Sequence, residues 1–301
     1  MTPEDILSHP PRKLTQRQRE DYFQQGYLLV ERFVDEAWLD RLKAGIARLV
    51  DRSRSVTRSD AVFDLEPGHR PEAPRLRRVS SPNDEDPVFW DFASKSPLGD
   101  LLADVLGPDV KFHQSKLNFK WAQGGTEVKW HQDAPFFPHT NPAVLTVGLY
   151  VHDCGMDQGP LGVIPGSHET EVFDHYADDG SWAGYIKERD LKRVALDKAR
   201  YLCGPAGSLT LHNYRTVHGS EPNRSDLGRP LLLNVMSAAD AFPYTYNPLK
   251  TRYYQQVIRG EPARWAHHDP RPMRIPPDWS GGYTSIFDYQ QSKQAAAGGM
   301  M

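Results

Sequence analysis

Cysteine is scarce in this sequence, and long apolar segments are missing. Only two cysteines, Cys154 and Cys203, occur in 301 residues, which excludes a disulfide framework as the main source of stability. No run of about eighteen apolar residues is present, and this excludes a helix that spans a membrane. The N-terminal residues 1–16 lack the apolar stretch of a secretory signal. We therefore expect a cytoplasmic protein without a membrane partner.

An excess of charge of either sign is also missing. The formal net charge is only −3, so we expect neither nucleic acid nor an anionic membrane as a partner. The composition, 39% hydrophobic and 25% charged, is typical of a folded globular protein. A chain of 301 residues is long enough to bury a substantial core in one domain.

The first third of the chain has mostly helical periodicity. Apolar residues at near-helical spacing predict helices over 14–25, 35–50 and 86–105, and a short apolar run predicts a strand at 27–30. Residues 52–87 are charged, rich in proline and without a clear period. This composition predicts a long loop, and long ordered loops often carry function.

From about residue 110 the pattern changes to short strands separated by turn residues. The predicted strands are 110–120, 126–132, 143–152, 162–164, 207–212 and 229–237, with turns at 157–160 and 164–167. Such a pattern indicates a mainly β fold, a sandwich or jelly roll with flanking helices. We predict one domain, with a helical N-terminal part at 1–109, a jelly-roll core at 110–240 and a C-terminal extension at 241–301. The tail from 295 to 301 is rich in Ala and Gly and is predicted to be disordered.

One constellation has the residue types of a metal site. His131 and Asp133 are two residues apart in a strand-like segment, so their side chains point to the same side. His218 is the best candidate for a third ligand. Two histidines and one carboxylate on one face leave three coordination positions open, as in non-haem iron oxygenases. The open positions can take a bidentate 2-oxo acid and then dioxygen.

This interpretation is extended by two further residues, both of which follow His218 in the chain. Ser220 follows His218 by two residues, and Arg229 follows it by eleven at the start of an apolar strand. A buried arginine can bind the distal carboxylate of 2-oxoglutarate in a bidentate pair, with a hydroxyl as an additional donor. The alternatives are a chance His-x-Asp pair among twelve histidines and an ordinary ion pair at Arg229.

Over residues 15–240 the sequence resembles the phytanoyl-CoA dioxygenase family, and within it the ectoine hydroxylase branch. His131 and Asp133 match the His-x-Asp of the family, and His218, Ser220 and Arg229 match its distal histidine, serine and arginine. Residues 159–168 resemble the strand and turn between the two ligand segments. Residues 113–120 resemble the strand that provides an asparagine to the cosubstrate and a glutamine to the substrate, which by position are Asn118 and Gln114.

The resemblance implies a double-stranded β-helix and an iron(II)- and 2-oxoglutarate-dependent dioxygenase. Such an enzyme hydroxylates an unactivated C–H bond of a small molecule with dioxygen and releases succinate and CO2. Related halogenases lack the metal-binding carboxylate, so Asp133 favours hydroxylation.

The sequence departs from the ectoine branch at two positions that are aromatic there, which here are His212 and Leu233, while Phe137 keeps a third aromatic position. We therefore expect a small polar or amphipathic substrate other than ectoine. The candidate substrate-binding residues are Gln114, Phe137, His212 and Arg215. Arg215 could bind an anionic substrate or form a structural salt bridge, and Phe136 could line the substrate pocket or the core.

Two other functions are compatible with the residues alone. One is a metal-dependent isomerase or hydrolase on a cupin-like barrel, with zinc or manganese. The other is a ligand-binding jelly roll without enzymatic activity. Arg229 together with Ser220 favours the 2-oxoglutarate-dependent hydroxylase over an isomerase or hydrolase, which needs no arginine eleven residues after the last histidine. The intact triad argues against the non-enzymatic jelly roll, in which it would usually have been lost. For the oligomeric state we expect a monomer or a homodimer.

Overall fold

Two antiparallel sheets form the centre of the computed structural model, which describes residues 1–283 and 285–291. The strands are β1 (Tyr27–Val30), β2 (Phe63–Leu65), β3 (Leu76–Ser80), β4 (Val110–Lys120), β5 (Val128–His131), β6 (Val144–Tyr150), β7 (Leu161–Val163), β8 (Arg200–Leu202), β9 (Leu209–Asn213), β10 (His218–Ser220), β11 (Arg229–Ala238) and β12 (Val257–Arg259). The larger sheet has the order β1-β9-β6-β11-β4-β3-β2, with β12 also paired to β4, and the smaller has the order β5-β10-β7-β8. Side chains of both sheets line a common cavity. The predicted jelly-roll class is confirmed.

Helices precede and flank the sheets. They are α1 (Pro3–Ser8), α2 (Gln16–Gln25), α3 (Glu36–Arg52), α4 (Pro82–Glu85), α5 (Pro87–Lys95), α6 (Leu98–Leu106) and α7 (Glu188–Leu191), and residues 286–291 are also helical. The predicted helices at 14–25 and 35–50 are α2 and α3. Thr15 and Asp35 cap them by accepting hydrogen bonds from the backbone N–H of Gln18 and Trp38. Within the described ranges, no helix combines the length and apolar character needed to cross a bilayer.

The single helix predicted for 86–105 is wrong, because the chain forms α5 and α6 there with a break at Ser96. Ser96 is extended, with φ −80° and ψ 171°, and Pro97 follows it. A residue before proline avoids the α conformation, because the proline ring would clash with its backbone. The break lets α5 and α6 each present an apolar side to the main core.

The main core lies between the helices and one face of the larger sheet. Helix α3 contributes Leu42 and Leu49, and β4 contributes Leu117, all fully buried in the same cluster. Neighbouring residues of a strand point to opposite faces. After a register shift that follows Phe112, the even-numbered residues Gln114, Lys116 and Asn118 of β4 line the cavities between the sheets, whereas Leu117 and Phe119 belong to the main core.

The long loop predicted for 52–87 is also wrong. It contains β2 and β3, which form an antiparallel pair, and β3 pairs with β4 from Arg78 to Ser80. Several charged residues of β2 and β3 are paired or buried, whereas others in the segment, such as Arg58 and Glu72, are exposed. Arg77 lies 2.8 Å from the carboxylate of Asp64, and Arg78 is buried. A segment at the edge of a sheet whose charged residues are paired has the same amino-acid composition as a loop. For this reason the composition led to the wrong prediction.

The predicted strands are present with boundaries shifted by a few residues, and besides β2 and β3 three further strands escaped prediction. These are β8, β10 and β12, each three residues long. A strand of three residues is too short for a period of two to be recognised. The predicted disordered tail, 295–301, lies outside the described residues.

Candidate metal centre

His131 and His218 come from neighbouring strands and face each other directly. Strands β5 and β10 are antiparallel, and in their register His218 is the partner of His131. Asp133 follows β5, and its Oδ1 lies 4.0 Å from Nε2 of His131 and 3.9 Å from Nε2 of His218. The ligand atoms of all three buried side chains lie within 4.8 Å of one another. The structure thus brings together the three residues that the sequence analysis singled out.

Backbone carbonyls orient both imidazoles. Nδ1 of His131 lies 2.8 Å from the carbonyl oxygen of Lys129, and Nδ1 of His218 lies 2.9 Å from that of Thr216. A carbonyl can only accept, so each Nδ1 carries the proton and each Nε2 presents its lone pair to the centre. Burial lowers the pKa of His131 to about 4 and holds the pKa of His218 well below its ordinary value. Both rings are therefore neutral near pH 7, as metal binding requires.

The carboxylate of Asp133 is held in its ionised form. Burial alone would raise the pKa of Asp133, but the charge of Lys116 and the imidazoles of His212 and His218 hold it well below the usual range. Thr146 donates a hydrogen bond of 2.7 Å to Oδ2, and Nε2 of His212 lies 3.6 Å from the same oxygen. Oδ1 is left facing the two histidines. Two imidazole nitrogens and one carboxylate oxygen on one side fit a divalent iron ion with open positions.

Beside this centre lies a cavity, and Arg229 is one of the residues that line it. Arg229 is buried, and its Nη2 donates a hydrogen bond of 2.9 Å to the carbonyl oxygen of Gly159. Its Nε and Nη1 are buried and have no hydrogen-bond partner within residues 1–283 and 285–291. A buried guanidinium with two free donors is costly unless a ligand accepts from them. Asn118 and Ser220, the other two candidates for the cosubstrate, line the same cavity.

Gly159 supports Arg229 through its backbone conformation. Its φ is +63°, and a Cβ at this position would lie 2.3 Å from the carbonyl oxygen of Glu221. Only glycine fits such a close approach in the left-handed region. The turn that Gly159 makes is therefore the reason that its carbonyl can face the guanidinium.

Lys120 is a second buried basic residue near Arg229. Its Nζ donates to the main-chain carbonyls of Ser220, at 3.2 Å, and of Glu221. Burial and the neighbouring Arg229 lower the pKa of Lys120 to about 6. Lys120 is therefore largely neutral near pH 7, and Arg229 is the permanent positive charge at this end of the cavity. Lys120 also ties the segment after His218 to β4.

A second, smaller cavity also adjoins the centre, and His131 and Asp133 line it as well. Of the four candidates for the substrate, Gln114 and Phe137 line it, together with Phe136. Oε1 of Gln114 is buried and has no partner in the part of the chain that the structure describes. Arg78 and Lys116 line both cavities. Open positions of a metal bound at Asp133 would therefore be reached from both.

The other two substrate candidates have different surroundings. His212 lines the larger cavity and contacts the carboxylate of Asp133, so it lies behind a candidate ligand. Arg215 does not line either cavity. Its Nη2 donates to the carbonyl oxygen of Thr170 at 2.9 Å, and its Nη1 lies 3.8 Å from Asp269. Of the two alternatives for Arg215, the structure has the salt bridge, because the turn after β9 directs the side chain away from the centre.

Three residues at the centre were missed by the sequence analysis: Arg78, Lys116 and Thr146. Lys116 has the same strand parity as Gln114 and Asn118, so a period of two could have found it. Thr146 lies in an apolar strand, where threonine is common, so the sequence gives no sign that its hydroxyl has a role in the site. Arg78 lies in the segment that was predicted to be a loop, and the sequence carries no signal that would bring it to residue 118.

Comparisons with known proteins agree with this geometry. The family profile described as phytanoyl-CoA dioxygenase matches residues 22–231. A probable alpha-ketoglutarate-dependent hypophosphite dioxygenase of Stutzerimonas stutzeri is 30% identical over 278 residues, which cover 91% of this chain and 96% of that protein. An ectoine dioxygenase of Bordetella bronchiseptica is 25% identical over 252 residues, which cover 79% of each chain.

Solved structures support the fold. The crystal structure of EctD from S. alaskensis with bound iron superimposes with a TM-score of 0.66 at 22% identity, covering 86% of this chain and 89% of that chain. The structure of the alpha-ketoglutarate-dependent carbocyclase SnoK superimposes with a TM-score of 0.62 at 19% identity, covering 80% and 90% of the two chains. At such identities the likeness concerns the fold alone.

Proposed function

The chain belongs to the phytanoyl-CoA dioxygenase family, and from this membership we propose that it hydroxylates a C–H bond of a small organic substrate. Its relatives are 2-oxoglutarate-dependent dioxygenases, and the protein is accordingly an iron(II)- and 2-oxoglutarate-dependent dioxygenase. The alternatives, a metal-dependent isomerase or hydrolase and a ligand-binding jelly roll, have no support among these relatives. The substrate and the bond that is oxidised are the subject of the proposal.

In this proposal His131, Asp133 and His218 hold the iron. The observation that carries it is the convergence of their ligand atoms within 4.8 Å, with both Nδ1 atoms occupied by carbonyls. When bound, iron(II) and 2-oxoglutarate supply the oxidising chemistry with dioxygen. The protein's part is to keep the imidazoles neutral, to orient the carboxylate and to exclude water from the cavities.

Arg229 would bind the distal carboxylate of 2-oxoglutarate. Its two unpartnered donors, Nε and Nη1, support this role, because a carboxylate accepts two parallel hydrogen bonds from a guanidinium. Ser220 and Asn118 line the same cavity and would provide further hydrogen bonds. The substrate would occupy the smaller cavity with Gln114 and Phe137. This cavity is the smaller of the two that adjoin the candidate ligands, which favours a small molecule.

The proposed reaction converts one C–H bond of the substrate into C–OH. One oxygen atom of dioxygen enters the substrate, and the other enters the new carboxylate of succinate as 2-oxoglutarate loses CO2. Retention of Asp133 supports hydroxylation, because the carboxylate takes the coordination position that a halide would need. The cytoplasmic location, the use of dioxygen and the monomeric or homodimeric state stay predictions.

A second candidate function is the oxidation of a small phosphorus oxoanion. The relative from Stutzerimonas stutzeri, a probable hypophosphite dioxygenase, matches this chain over nearly its whole length. In this case a P–H bond of hypophosphite would become P–OH, giving phosphite, while 2-oxoglutarate again yields succinate and CO2. The same residues would hold iron and cosubstrate, and only the occupant of the smaller cavity differs.

Succinate formation from 2-oxoglutarate tests the proposal. We expect the purified protein with added Fe(II) to form succinate slowly without substrate and faster with a correct one. The variant His131→Ala should lose this activity and the rise in melting temperature that Mn(II) produces, whereas His152→Ala, at an exposed histidine, should keep both. Succinate formation by His131→Ala at the wild-type rate would contradict the assigned ligand.

Product analysis separates the two candidates. Incubation with pooled metabolites should yield a compound heavier by one oxygen atom if a C–H bond is hydroxylated. Incubation with hypophosphite should yield phosphite, visible by ³¹P NMR, if the second candidate is correct. Absence of both products in a preparation that turns over 2-oxoglutarate would leave the enzyme class intact and contradict both substrate assignments.

A further inference from the structure

We propose that the smaller cavity is a receptor for a small oxoanion, which Arg78 and Lys116 bind beside the metal centre. The inference rests on the proposed function, because it assumes that 2-oxoglutarate occupies the larger cavity. The inference adds one property to the proposed function, namely that the substrate is negatively charged. The residues for the metal and the cosubstrate do not determine this property.

The position of the two basic residues is the first argument. Arg78 on β3 and Lys116 on β4 line the larger and the smaller cavity alike, as do the candidate ligands His131 and Asp133. Both basic side chains are therefore within reach of a molecule bound next to the metal. They lie on the cavity side of two paired strands, since Arg78 faces Asn118 in the register and Lys116 is two residues away on the same side.

The absence of counter-charges is the second argument. Arg78 is only 2% exposed, and its Nε donates a hydrogen bond of 3.0 Å to Oδ1 of Asn118, a neutral group. Its other neighbours are the rings of Phe287, 5.4 Å from the guanidinium carbon, and Tyr283. Within residues 1–283 and 285–291, neither Arg78 nor Lys116 has a carboxylate at ion-pair distance, although Lys116 interacts through its charge with Asp133. A charge removed from water without a partner is unfavourable, fully for the buried Arg78 and in part for the half-buried Lys116, so a ligand that supplies the opposite charge is expected.

In the proposed binding mode the two cofactors are engaged elsewhere. Asp133 interacts with the charge of Lys116, and it would be a ligand of the metal. The distal carboxylate of 2-oxoglutarate would be bound by Arg229, and its other end by the metal. Arg78 and Lys116 then have no other counter-charge from the cofactors on the side where they line the smaller cavity. A carboxylate, a phosphonate or a phosphorus oxoanion has the charge and the acceptor geometry that they require.

The remaining lining fits a small ion with one apolar side. Phe136 and Phe137 cover one side of the cavity, and Gln114 contributes a buried amide whose Oε1 has no partner among the described residues. That amide oxygen can accept a hydrogen bond from a hydroxyl of the substrate. A neutral or cationic molecule of the same size would meet the positive charge without compensating it.

Anaerobic calorimetry with the protein loaded with Mn(II) and 2-oxoglutarate tests this inference. The probes are hypophosphite, methylphosphonate and propanoate, with propanamide as the neutral counterpart of propanoate. We expect at least one of the three anions to bind, and propanoate to bind at least roughly tenfold more tightly than propanamide, as charge-assisted hydrogen bonds predict. The pattern among the three anions distinguishes a phosphorus oxoanion from an organic carboxylate.

Variants assign the affinity to the two basic residues. Lys116→Met should weaken the anion roughly ten- to hundredfold, and Lys116→Arg should restore most of the binding. Lys192→Met, at an exposed lysine, is the matched control and should leave the affinity unchanged. Lys116 is only half-buried, so its variant is expected to fold, and Arg78→Lys gives a second test that keeps the charge but loses the planar donors.

The outcomes separate this inference from the proposed function. If 2-oxoglutarate fails to bind in the presence of Mn(II), the proposed function is wrong. If 2-oxoglutarate binds but none of the three anions does, or if propanamide binds as tightly as propanoate, the oxoanion receptor is wrong and the proposed function stands. Undiminished anion binding in both Lys116→Met and Arg78→Lys would also overturn it.

Discussion

Thr146 donates a hydrogen bond of 2.7 Å to Oδ2 of Asp133, the carboxylate oxygen turned away from the two histidines. Oδ1 faces Nε2 of His131 and of His218 at 4.0 and 3.9 Å. The hydroxyl therefore fixes the rotation of the carboxylate, so that one oxygen is directed to the metal centre. Thr146 lies on β6 of the larger sheet, whereas the histidines lie on the smaller sheet, and the hydrogen bond links the two.

Replacement of this threonine should weaken metal binding. Thr146→Val keeps the shape but removes the donor, so the carboxylate can rotate and Oδ2 loses a partner in a buried site. We expect iron affinity to fall roughly ten- to hundredfold, which is typical for loss of a group that orients a ligand. A titration with Fe(II) under anaerobic conditions measures it. Thr210→Val is the matched control, because Thr210 is equally buried on β9 but contacts the carbonyl oxygen of Gly148. Equal iron affinities in the Thr146→Val and Thr210→Val variants would argue against the role of Thr146.

Replacement of Arg229 by lysine should weaken the binding of 2-oxoglutarate. Arg229→Lys keeps the positive charge but cannot offer two parallel hydrogen bonds. The loss of a charge-assisted hydrogen bond is expected to weaken 2-oxoglutarate binding roughly tenfold or more. Calorimetric titration of the Mn(II)-loaded protein with 2-oxoglutarate provides the measurement, and Arg224→Lys, at an exposed arginine in the preceding turn, should match the wild type. Wild-type affinity in Arg229→Lys would place the cosubstrate elsewhere.

A methyl group at Gly159 should disturb both stability and cosubstrate binding. In Gly159→Ala the new Cβ would lie 2.3 Å from the carbonyl oxygen of Glu221, so the turn must shift and with it the carbonyl that holds Arg229. Gly166→Ala is the control, since Gly166 also has a positive φ, +73°, but nothing lies within 4 Å of the added atom. Both variants should lose about 1 kcal/mol or more of unfolding free energy from the strained backbone.

Only Gly159→Ala should in addition bind 2-oxoglutarate more weakly. Denaturant unfolding and calorimetry of the two variants separate the two effects. Equal cosubstrate affinity in both variants would contradict the link between Gly159 and Arg229.

Acid should destabilise the protein partly through His139. Burial lowers the pKa of His139 to about 3 in the folded state, whereas an unfolded histidine titrates near 6.5. Between these values the unfolded chain binds a proton that the folded chain does not, so this contribution to stability is present above pH 6.5 and is lost as the pH falls. The expected slope is about 1.4 kcal/mol per pH unit for this one group.

The slope can be assigned with one substitution. His139→Asn keeps a donor for the carbonyl oxygen of Phe137, which His139 Nδ1 contacts at 2.7 Å, but does not titrate. Its unfolding free energy, measured between pH 7 and 4.5, should fall less steeply than that of the wild type. His9→Asn, at an exposed histidine, should leave the slope unchanged; a wild-type slope in His139→Asn would show that other groups dominate acid unfolding.

Local periodicity was sufficient for much of the metal centre. The separation of His131 and Asp133 by two residues places them on one side of a strand whatever the strand pairs with, and a buried arginine after a late histidine has few uses other than binding an anion. The long apolar strands β4, β6 and β11 were also found for this reason. Their period and composition are properties of the chain itself.

Other features depended on pairing between distant segments. Arg78 joins the site only because β3 pairs with β4, some forty residues later in the chain, and Arg215 leaves it because Thr170 and Asp269 bind its guanidinium. Segment 52–87 has the composition of a loop, yet it forms a sheet edge because its charges find partners there.

The sequence by itself determined the jelly-roll class, the candidate metal ligands and the candidate arginine for the cosubstrate. The tertiary structure decided which positive charges surround the smaller cavity, because the cost of a buried charge depends on the neighbours that folding brings to it.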